Sequence, residues 1–325
     1  MQMTVGEYMP NTYQADICDL LLEMLKKQRV APVGELARRL RLSAKEVIAA
    51  ALKLSESGYD VGIDSNVISL VADVEEKHVR MESDKQDCVR FAIVSDTHFG
   101  SKYQQETALN RFYETIAEIG IKKVFHAGDM FDGYNVYGKG PLKQIAQLFL
   151  HTYDEQIDYV VERYPKIAGV ETDLIIGNHC ESWITQAGAD PCKTLSERRS
   201  DIHYLGGRTV TVEWNGITFK LTHPNCKGGK RPENQLYKFS ENMVPSGPTF
   251  LVQGHFHNVV YIPSRGIHMI QPGAFQGTTP FAQDIGKEPA RIGGFIISYS
   301  LDNDVERVTA DFIRYKETAN DYTRW

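Results

Sequence analysis

The sequence predicts an α/β protein in which a small domain of short helices and a β-hairpin precedes a larger, layered α/β domain. Amphipathic helical patterns and two short strand-like runs fill the first part of the chain. In the second part, apolar strand-like runs alternate with helical segments, and a polar stretch separates the two parts. We therefore expect a small domain at 13–72, a linker at 73–87 and a larger domain at 88–325.

The small domain is predicted to contain three helices followed by a hairpin. Apolar residues recur at helical spacing over residues 15–27, and Pro32 separates this helix from a second one over Val33–Leu40. Ser43 and Glu46 have the spacing of a capping box and predict the start of a third helix. The segment YDVGIDSNVISLV then predicts two strands around a turn. This order of elements resembles a winged-helix domain, whose third helix would be the recognition element.

Positive charge is concentrated in this small domain. Between residues 26 and 53, eight Lys and Arg residues stand against two Glu residues. The candidate nucleic-acid contacts in this region are Arg38, Arg39, Arg41 and Lys45. The third helix is poor in side chains that read base edges, which disfavours sequence-specific recognition. Contact with a phosphate backbone and an ordinary solvated surface both remain open.

Composition limits the classes of protein to which the chain can belong. The formal net charge of -6 gives no overall attraction to phosphate backbones, so any nucleic-acid contact must be local. Five cysteines without CxxC spacing argue against a disulfide framework and against a zinc knuckle. We find neither a signal-like leader nor an apolar run near the roughly 18 residues that span a bilayer. We expect a cytoplasmic protein that does not enter membranes.

In the larger domain, apolar strand-like runs end in chemically reactive residues. These runs are CVRFAIVSDTH, KKVFHAGD, TDLIIGNH, FKLTH and FLVQGHFH. Helical segments separate the first three, near residues 106–118 and 142–163. Later segments, TVTVEWNGITFKLT and GGFIISYSLDNDVERVTADFIRY, predict antiparallel hairpins and hence a mixed sheet. Strands that end in polar residues place the functional site at the strand ends.

The first two strand ends carry oxygen and nitrogen donors. Asp96 and His98, one residue apart, can face the same cation, although a D-x-H triplet alone is common in turns. Asp129 follows the second strand, and the two oxygens of its carboxylate can bridge two cations about 3.5 to 4 Å apart. Gly128 leaves room for close approach. Asp132 can either hydrogen-bond a ligating histidine or cap the following turn.

The later strand ends add an amide and several imidazoles. Asn178 offers a neutral oxygen ligand, and the neighbouring His179 can hold or deliver a proton near neutral pH. His223, His255 and His257 complete a nitrogen-rich set for two metals. A lone histidine is more often structural than a ligand, and this interpretation applies to His126, His151, His203 and His268.

The ordered set D-x-H, GD-x-x-D, GNH, a separate H and G-H-x-H resembles the calcineurin-like metallophosphoesterase superfamily over residues 89–315. The resemblance implies a layered α/β/β/α sandwich with a dinuclear centre. One metal would be held by Asp96, His98, Asp129 and His257. The other would be held by Asp129, Asn178, His223 and His255. The family usually has an acidic residue after GNH, whereas this chain has Cys180, with Glu181 displaced by one position.

The same resemblance implies a mechanism. A hydroxide that bridges the two cations would attack phosphorus in line, and no covalent phospho-enzyme would form. His179 would stabilise the transition state or protonate the leaving oxygen. The mixed ligand set accepts Mn, Fe, Zn, Ni or Co, of which we expect Mn.

Three functions are compatible with this centre. The Arg residues by which protein phosphatases of the family grip a monoester are missing, because Gly133, Tyr134 and Asn135 follow Asp132 here. The motifs are similar to those of SbcD-type repair exonucleases, which together with the basic patch favours a nuclease acting on DNA. A phosphodiesterase for a cyclic nucleotide or another small diester, with a regulatory N-terminal domain, is the alternative. A non-enzymatic regulator is disfavoured by the complete ligand set.

Two further features concern substrate and partners. The glycine- and proline-rich segment 271–294 follows the last motif and predicts either a substrate-facing loop, with Lys287 or Arg291 near phosphate, or a structured connection. The C-terminal segment lacks the long helix by which SbcD-type nucleases would dock an ATPase partner. The sequence does not predict a protein partner or an oligomeric state.

Overall fold

A computed structural model describes most of the chain. The described residues are 11–28, 30–56, 59–64, 66–72, 77–81, 88–136, 144–226, 231–284, 286–302 and 305–323. The chain divides into two units, residues 1–75 and 76–325.

The N-terminal unit consists of helices and an antiparallel sheet. Its elements are α1 (Asn11–Gln28), β1 (Val30–Pro32), α2 (Val33–Leu40), α3 (Ala44–Glu56), β2 (Asp60–Asp64) and β3 (Val67–Ala72). The predicted capping box is present, since Glu46 Oε2 accepts from Ser43 N at 2.7 Å and Ser43 Oγ accepts from Glu46 N at 3.3 Å. β1 was not predicted and pairs with β3, giving the strand order β1-β3-β2. The winged-helix interpretation of this unit stays a prediction.

The polar stretch 73–87, which we expected to be a linker, contains a strand. β4 (Lys77–Arg80) pairs in parallel with the strand Thr209–Trp214 of the second unit. Only Val79 packs against the apolar core, so the strand carries almost no periodic signal. These residues therefore belong to a sheet and not to a linker, while the rest of the stretch apart from Met81 lies outside the described residues.

The larger unit contains the remaining elements. Its helices are α4 (Glu106–Glu118), α5 (Tyr153–Arg163), α6 (Asn178–Ala187), α7 (Pro191–Arg198), α8 (Asn234–Ser240) and α9 (Pro280–Asp284), with a short 3-10 helix at Asp321–Thr323. Its further strands are β5 (Cys88–Val94), β6 (Lys123–His126), β7 (Glu171–Ile175), β8 (Ile202–Gly206), β9 (Thr209–Trp214), β10 (Ile217–Thr222), β11 (Thr249–Gln253), β12 (Val259–Ser264), β13 (Ile267–Pro272), β14 (Gly293–Asp302) and β15 (Val305–Arg314).

These strands form a sandwich of two sheets with helices outside. One sheet has the order β15-β14-β5-β6-β7-β8 and is parallel from β5 to β8, and the other has the order β12-β13-β11-β10-β9-β4. Aromatic side chains fill the space between them, where the ring of Phe91 lies edge-on to Phe219 at 4.9 Å and to Phe250 at 5.3 Å. Helices α4 to α7 cover the outer face of the first sheet, and α8 covers part of the second. The predicted α/β/β/α layering is confirmed.

The predicted helix over residues 142–163 begins later than expected. α5 starts after Thr152, whose side chain forms a capping box with Glu155. Gln144 instead serves the loop that follows β6, because its side chain accepts from Val136 N at 2.7 Å and donates to the carbonyl of Asp132 at 3.0 Å. Residues 142 and 143 lie outside the described residues.

The parallel strands place the reactive residues at one edge of each sheet. β5, β6 and β7 run in the same direction, as do β10 and β11 in the other sheet. The motifs that follow these strands therefore meet at the strand ends, as predicted. Within the described part of the chain, the helices are too short or too polar to span a bilayer.

Candidate metal centre

The structure brings the seven predicted ligands together at the strand ends. Potential ligand atoms within 4.8 Å of one another form one group of Asp96, His98 and His257 and a second group of Asp129, His223 and His255. Asn178, at the start of α6, lies against the second group, since its Oδ1 is 2.9 Å from His255 Nδ1.

The backbone at these positions is unusual. Five of the predicted ligands have a positive φ, namely Asp96 (53°), His98 (46°), Asp129 (53°), His255 (82°) and His257 (56°). Such conformations cost about 1–3 kcal/mol each for residues other than glycine and concentrate at functional sites. Backbone bonds between the two loops hold this conformation, with Asp96 N donating to Gly128 O and His98 N to Asp129 O, both at 3.0 Å. The chain thus turns sharply after each strand and aims its donors at a shared point.

Two motif glycines allow the loops to approach closely. A Cβ on Gly177 would collide with the carboxylate and main-chain nitrogen of Asp129. A Cβ on Gly128, whose φ is +93°, would lie 2.5 Å from Nδ1 of His223. Any larger residue would therefore push apart the groups that form the centre.

The first group has distances suited to one cation. His98 Nε2 lies 3.1 Å from His257 Nε2, which is itself 3.3 Å from Asp96 Oδ1. Two nitrogens bound about 2.1 Å from one metal at roughly a right angle are about 3 Å apart. These three side chains therefore fit a divalent cation.

The second group contains donor atoms that need a cation between them. His255 Nε2 donates to the carbonyl of Cys226 at 3.0 Å, so in the neutral ring the Nδ1 lone pair faces Asn178 Oδ1. Burial lowers the pKa of His255 to about 3, so no proton relieves this contact at neutral pH. His223 Nε2 is buried, 2.9 Å from Asp129 Oδ2, and has no hydrogen-bond partner. A metal ion would satisfy both histidines.

Asp129 lies between the two groups. Its Oδ1 accepts from the main-chain N of His179 at 2.8 Å. Its Oδ2 is 2.9 Å from His223 Nε2 and 4.0 Å from His98 Nε2. The sequence argument gave the bridging role to both oxygens of this carboxylate, but in the structure only Oδ2 faces both groups.

Asp132 orients the first group. Its Oδ1 accepts from His98 Nδ1 at 2.9 Å, so of the two roles considered for it the structure shows the contact with a predicted ligand. The same oxygen accepts from Gln276 Nε2 at 3.0 Å. Sequence analysis missed Gln276, because it is 144 residues from Asp132 and belongs to no motif.

His179 is held without the usual acidic neighbour. Its Nδ1 donates to the main-chain carbonyl of Asp132 at 2.7 Å, and burial lowers its pKa. Cys180 points into the core between the first sheet and its helices, where a carboxylate would be buried. Glu181 pairs with Arg208, whose Nε lies 3.1 Å from Glu181 Oε1. No motif signalled Arg208.

Protons compete with metal at this centre. Burial opposes protonation of His98, but hydrogen bonds from Asp132 and Asp96 raise its pKa to about 10, and the charge of Asp129 raises the pKa of buried His223 to about 9. The metal-free protein therefore holds these protons below pH 9, and a binding cation must displace them.

We expect the affinity for Mn²⁺ to rise as pH increases from neutral to about 9, with protons released on binding. Calorimetric titration with Mn²⁺ in two buffers of different ionisation enthalpy, repeated at several pH values, measures both quantities. An affinity that does not change with pH, or binding that releases no proton, would contradict this assignment of ligands.

The histidines interpreted as structural lie elsewhere among the described residues. Buried His126 contacts Thr97 Oγ1 at 3.2 Å, and His268 contacts Tyr261 Oη at 2.9 Å. His203 lies 3.7 Å from Glu171, and His151 is exposed.

The candidate nucleic-acid contacts cluster at the turn between α2 and α3. Arg38 and Arg39 are in the last turn of α2, Arg41 follows it with a φ of 57°, and Lys45 is in the first turn of α3. All four are exposed. Arg39 is 3.4 Å from Glu35, which partly neutralises it.

Comparisons with known proteins agree with this geometry. A family model described as the calcineurin-like phosphoesterase superfamily domain matches residues 89–285. No curated protein matches the chain. Similar solved structures include an archaeal phosphodiesterase (14% identity, TM-score 0.38, 69% of this chain and 100% of that chain). Others are the phosphoesterase Yfce from E. coli (17%, 0.35, 68% and 98%) and zinc-bound Vps29 from Entamoeba histolytica (12%, 0.33, 69% and 99%).

Proposed function

Because this chain belongs to the calcineurin-like phosphoesterase superfamily, we propose that it is a two-metal phosphodiesterase that acts on DNA. The observation that carries the proposal is the position of Asp129 Oδ2 between two groups of histidine and carboxylate donors. The family matches hydrolases of phosphate esters, and this arrangement of donors is what two-metal hydrolysis requires.

The residues that would hold the metals follow from the two groups. Asp96, His98, Asp129 and His257 would hold one cation, and Asp129, Asn178, His223 and His255 the other. When bound, two divalent cations activate water and neutralise negative charge on the phosphoryl oxygens. We propose Mn²⁺ as the resident metal, although nitrogen and oxygen donors of this kind also suit Fe, Zn, Ni and Co.

His179 is suited to act on the leaving oxygen. Its ring orientation is fixed by the bond from Nδ1 to Asp132 O and by the edge-on contact with His98, at 4.5 Å between ring centroids. Since burial lowers its pKa, the ring takes up a proton most readily when a negative charge such as a substrate phosphate lies nearby. It can then donate that proton to the departing alkoxide.

A diester suits the site better than a monoester. The loop after Asp132 continues with Gly133, Tyr134 and Asn135, and the arginine nearest to the GNH motif by contact, Arg208, is engaged by Glu181. A monoester dianion usually requires arginine contacts to two of its oxygens. A diester carries a single negative charge and needs fewer cationic partners.

DNA is the proposed substrate because of the exposed basic turn between α2 and α3. Replacing Arg38, Arg41 and Lys45 together by Gln should weaken DNA binding and lower the slope of log affinity against log salt by about 3 × 0.9 for duplex DNA. Turnover of bis-p-nitrophenyl phosphate should stay unchanged. Binding measured by fluorescence anisotropy over a range of salt concentrations tests this.

The matched control removes three exposed lysines from the larger unit, by Lys122→Gln, Lys166→Gln and Lys193→Gln. It should leave the salt dependence close to that of the wild type. Equal losses in both triple variants would mean that the α2–α3 turn has no special role in DNA contact.

The substrate itself is tested with labelled single- and double-stranded DNA beside bis-p-nitrophenyl phosphate, each with Mn²⁺ and with chelator. Metal-dependent DNA cleavage is the expected result. Turnover of the small diester with intact DNA would instead indicate a phosphodiesterase for a cyclic nucleotide or other small diester, with the N-terminal unit in a regulatory role.

A further inference from the structure

The loop between β13 and β14 surrounds the first group of predicted ligands. Phe275 N donates to the carbonyl of Asp96 at 3.1 Å, and Arg291 N donates to the carbonyl of His257 at 3.3 Å. Gln276 reaches Asp132, as described above. The loop therefore leaves and rejoins the sheet at the edge of the metal centre, and the segment between these contacts lies beside its opening.

The segment that carries Lys287 is tied down at several points. Lys287 N donates to the carbonyl of Ala282 at 2.9 Å, which closes the turn at the end of α9. Ala290 N donates to Thr278 Oγ1 at 3.0 Å and joins the two arms of the loop. The main chain at Lys287 is thus held in place before any substrate binds.

The ammonium of Lys287 lies close enough to act on both ligand groups. Burial lowers the pKa of His257, and the charge of Lys287 lowers it further; the same charge also lowers the pKa of His255. In return, Asp96 and Asp129 act on Lys287, although burial has the larger effect and lowers its pKa. The side chain is nevertheless exposed, a combination expected of a group inside an open cleft.

We propose that Lys287 is a substrate-binding residue whose ammonium contacts a non-bridging oxygen of the scissile phosphodiester. The inference rests on the proposed function and specifies how the site receives its anionic substrate. Among the described residues, no hydrogen bond or ion pair engages the Lys287 side chain, so its three donors are available to a ligand. Divalent cations bound to Asp96 and Asp129 would repel the ammonium from the carboxylates, and a bound phosphate would be its natural partner.

A single ammonium also agrees with the preference for a diester. Lysine acts on phosphate as a point charge, whereas arginine grips two oxygens at once. One lysine at the opening thus matches the one negative charge of a diester. Of the two cationic residues that the sequence marked in this loop, the structure favours Lys287, because the charge effects just described reach both ligand groups.

The test measures binding of inorganic phosphate to the Mn²⁺-loaded protein by calorimetry, beside the KM and kcat for bis-p-nitrophenyl phosphate. Lys287→Gln should weaken phosphate binding and raise KM by about tenfold each, the usual scale for one charge-assisted hydrogen bond. Lys287→Arg should retain most of the binding. Mn²⁺ affinity should not fall in either variant, since a positive charge near the metals is removed or kept.

Lys122→Gln is the matched control, because Lys122 is exposed and lies just before β6, at the end of that strand remote from Asp129. It should bind phosphate like the wild type. Phosphate binding by Lys287→Gln that equals the wild type would overturn the assignment and leave the proposed function intact. Phosphate binding that depends on Lys287 in a protein without turnover would support the assignment and reject the proposed function. A wild-type protein with Mn²⁺ that binds no phosphate would overturn the assignment.

Discussion

Replacing Asp129 by Ala will reduce phosphodiester turnover by about a thousandfold or more, because one carboxylate is shared by the whole centre. Oδ2 faces both ligand groups, and Oδ1 accepts from the main chain of His179. The change therefore removes a donor from each predicted metal and a hydrogen bond from the residue proposed to act on the leaving group. Initial rates on bis-p-nitrophenyl phosphate and on labelled DNA, with metal content measured on the same samples, test this.

Asp311→Ala is the matched control, since Asp311 is an exposed carboxylate on β15. It should keep wild-type turnover and metal content. If the Asp129→Ala protein is folded by circular dichroism and retains a tenth or more of the wild-type rate, Asp129 is not the shared ligand. Retention of full metal content by that variant would lead to the same conclusion.

Replacing His179 by Ala will lower kcat by about 10²- to 10⁴-fold while metal binding stays near the wild-type level. His179 lies beside both groups, and its ring nitrogen Nδ1 is taken by the carbonyl of Asp132. Loss of the ring removes a proton donor and leaves the predicted ligands in place. Metal content by elemental analysis and kcat at saturating substrate are the two measurements.

The choice of leaving group separates the two roles considered for His179. If the ring protonates the leaving oxygen, the loss in His179→Ala should be smaller for a p-nitrophenyl diester, whose leaving group departs without a proton, than for an alkyl diester or DNA. If the ring stabilises charge on the phosphoryl oxygens, both substrates should lose equally. His151→Ala, at an exposed histidine, should behave like the wild type with both substrates. A large loss of metal from His179→Ala would place the residue among the ligands.

Sequence alone predicted the elements whose signals are local. The helix Glu106–Glu118 and the helix Val33–Leu40 follow from apolar periodicity, and the start of α3 follows from the Ser43 and Glu46 pair. The edge strand Lys77–Arg80 escaped prediction because its partner lies more than a hundred residues away and only one of its side chains is packed on the core. The start of α5 was misplaced because an apolar helical pattern continues upstream of its capping residue.

The candidate site was predictable in its composition but not in its geometry. Each predicted ligand follows an apolar strand, and parallel strands bring such positions together. The sequence does not reveal which oxygen of Asp129 faces both groups, since that depends on the backbone of His179. Nor does it reveal the contacts of Gln276 and Arg208, which come from segments remote along the chain.

Cys180 illustrates how a departure from a motif is compensated. The sequence left the support of His179 open, because the usual carboxylate is missing. The structure gives that support to a main-chain carbonyl, and a carbonyl is present whatever side chain occupies the position. The acidic side chain one position later is used differently, in an ion pair with Arg208.

The central claim is that Asp129 joins two divalent cations, and anomalous diffraction from crystals grown with Mn²⁺ tests it most directly. The account predicts two manganese peaks about 3.5 to 4 Å apart. One peak should contact Asp96, His98 and His257, the other Asn178, His223 and His255, with Asp129 shared by both. A single peak, or peaks that leave Asp129 bound to only one ion, would contradict the account.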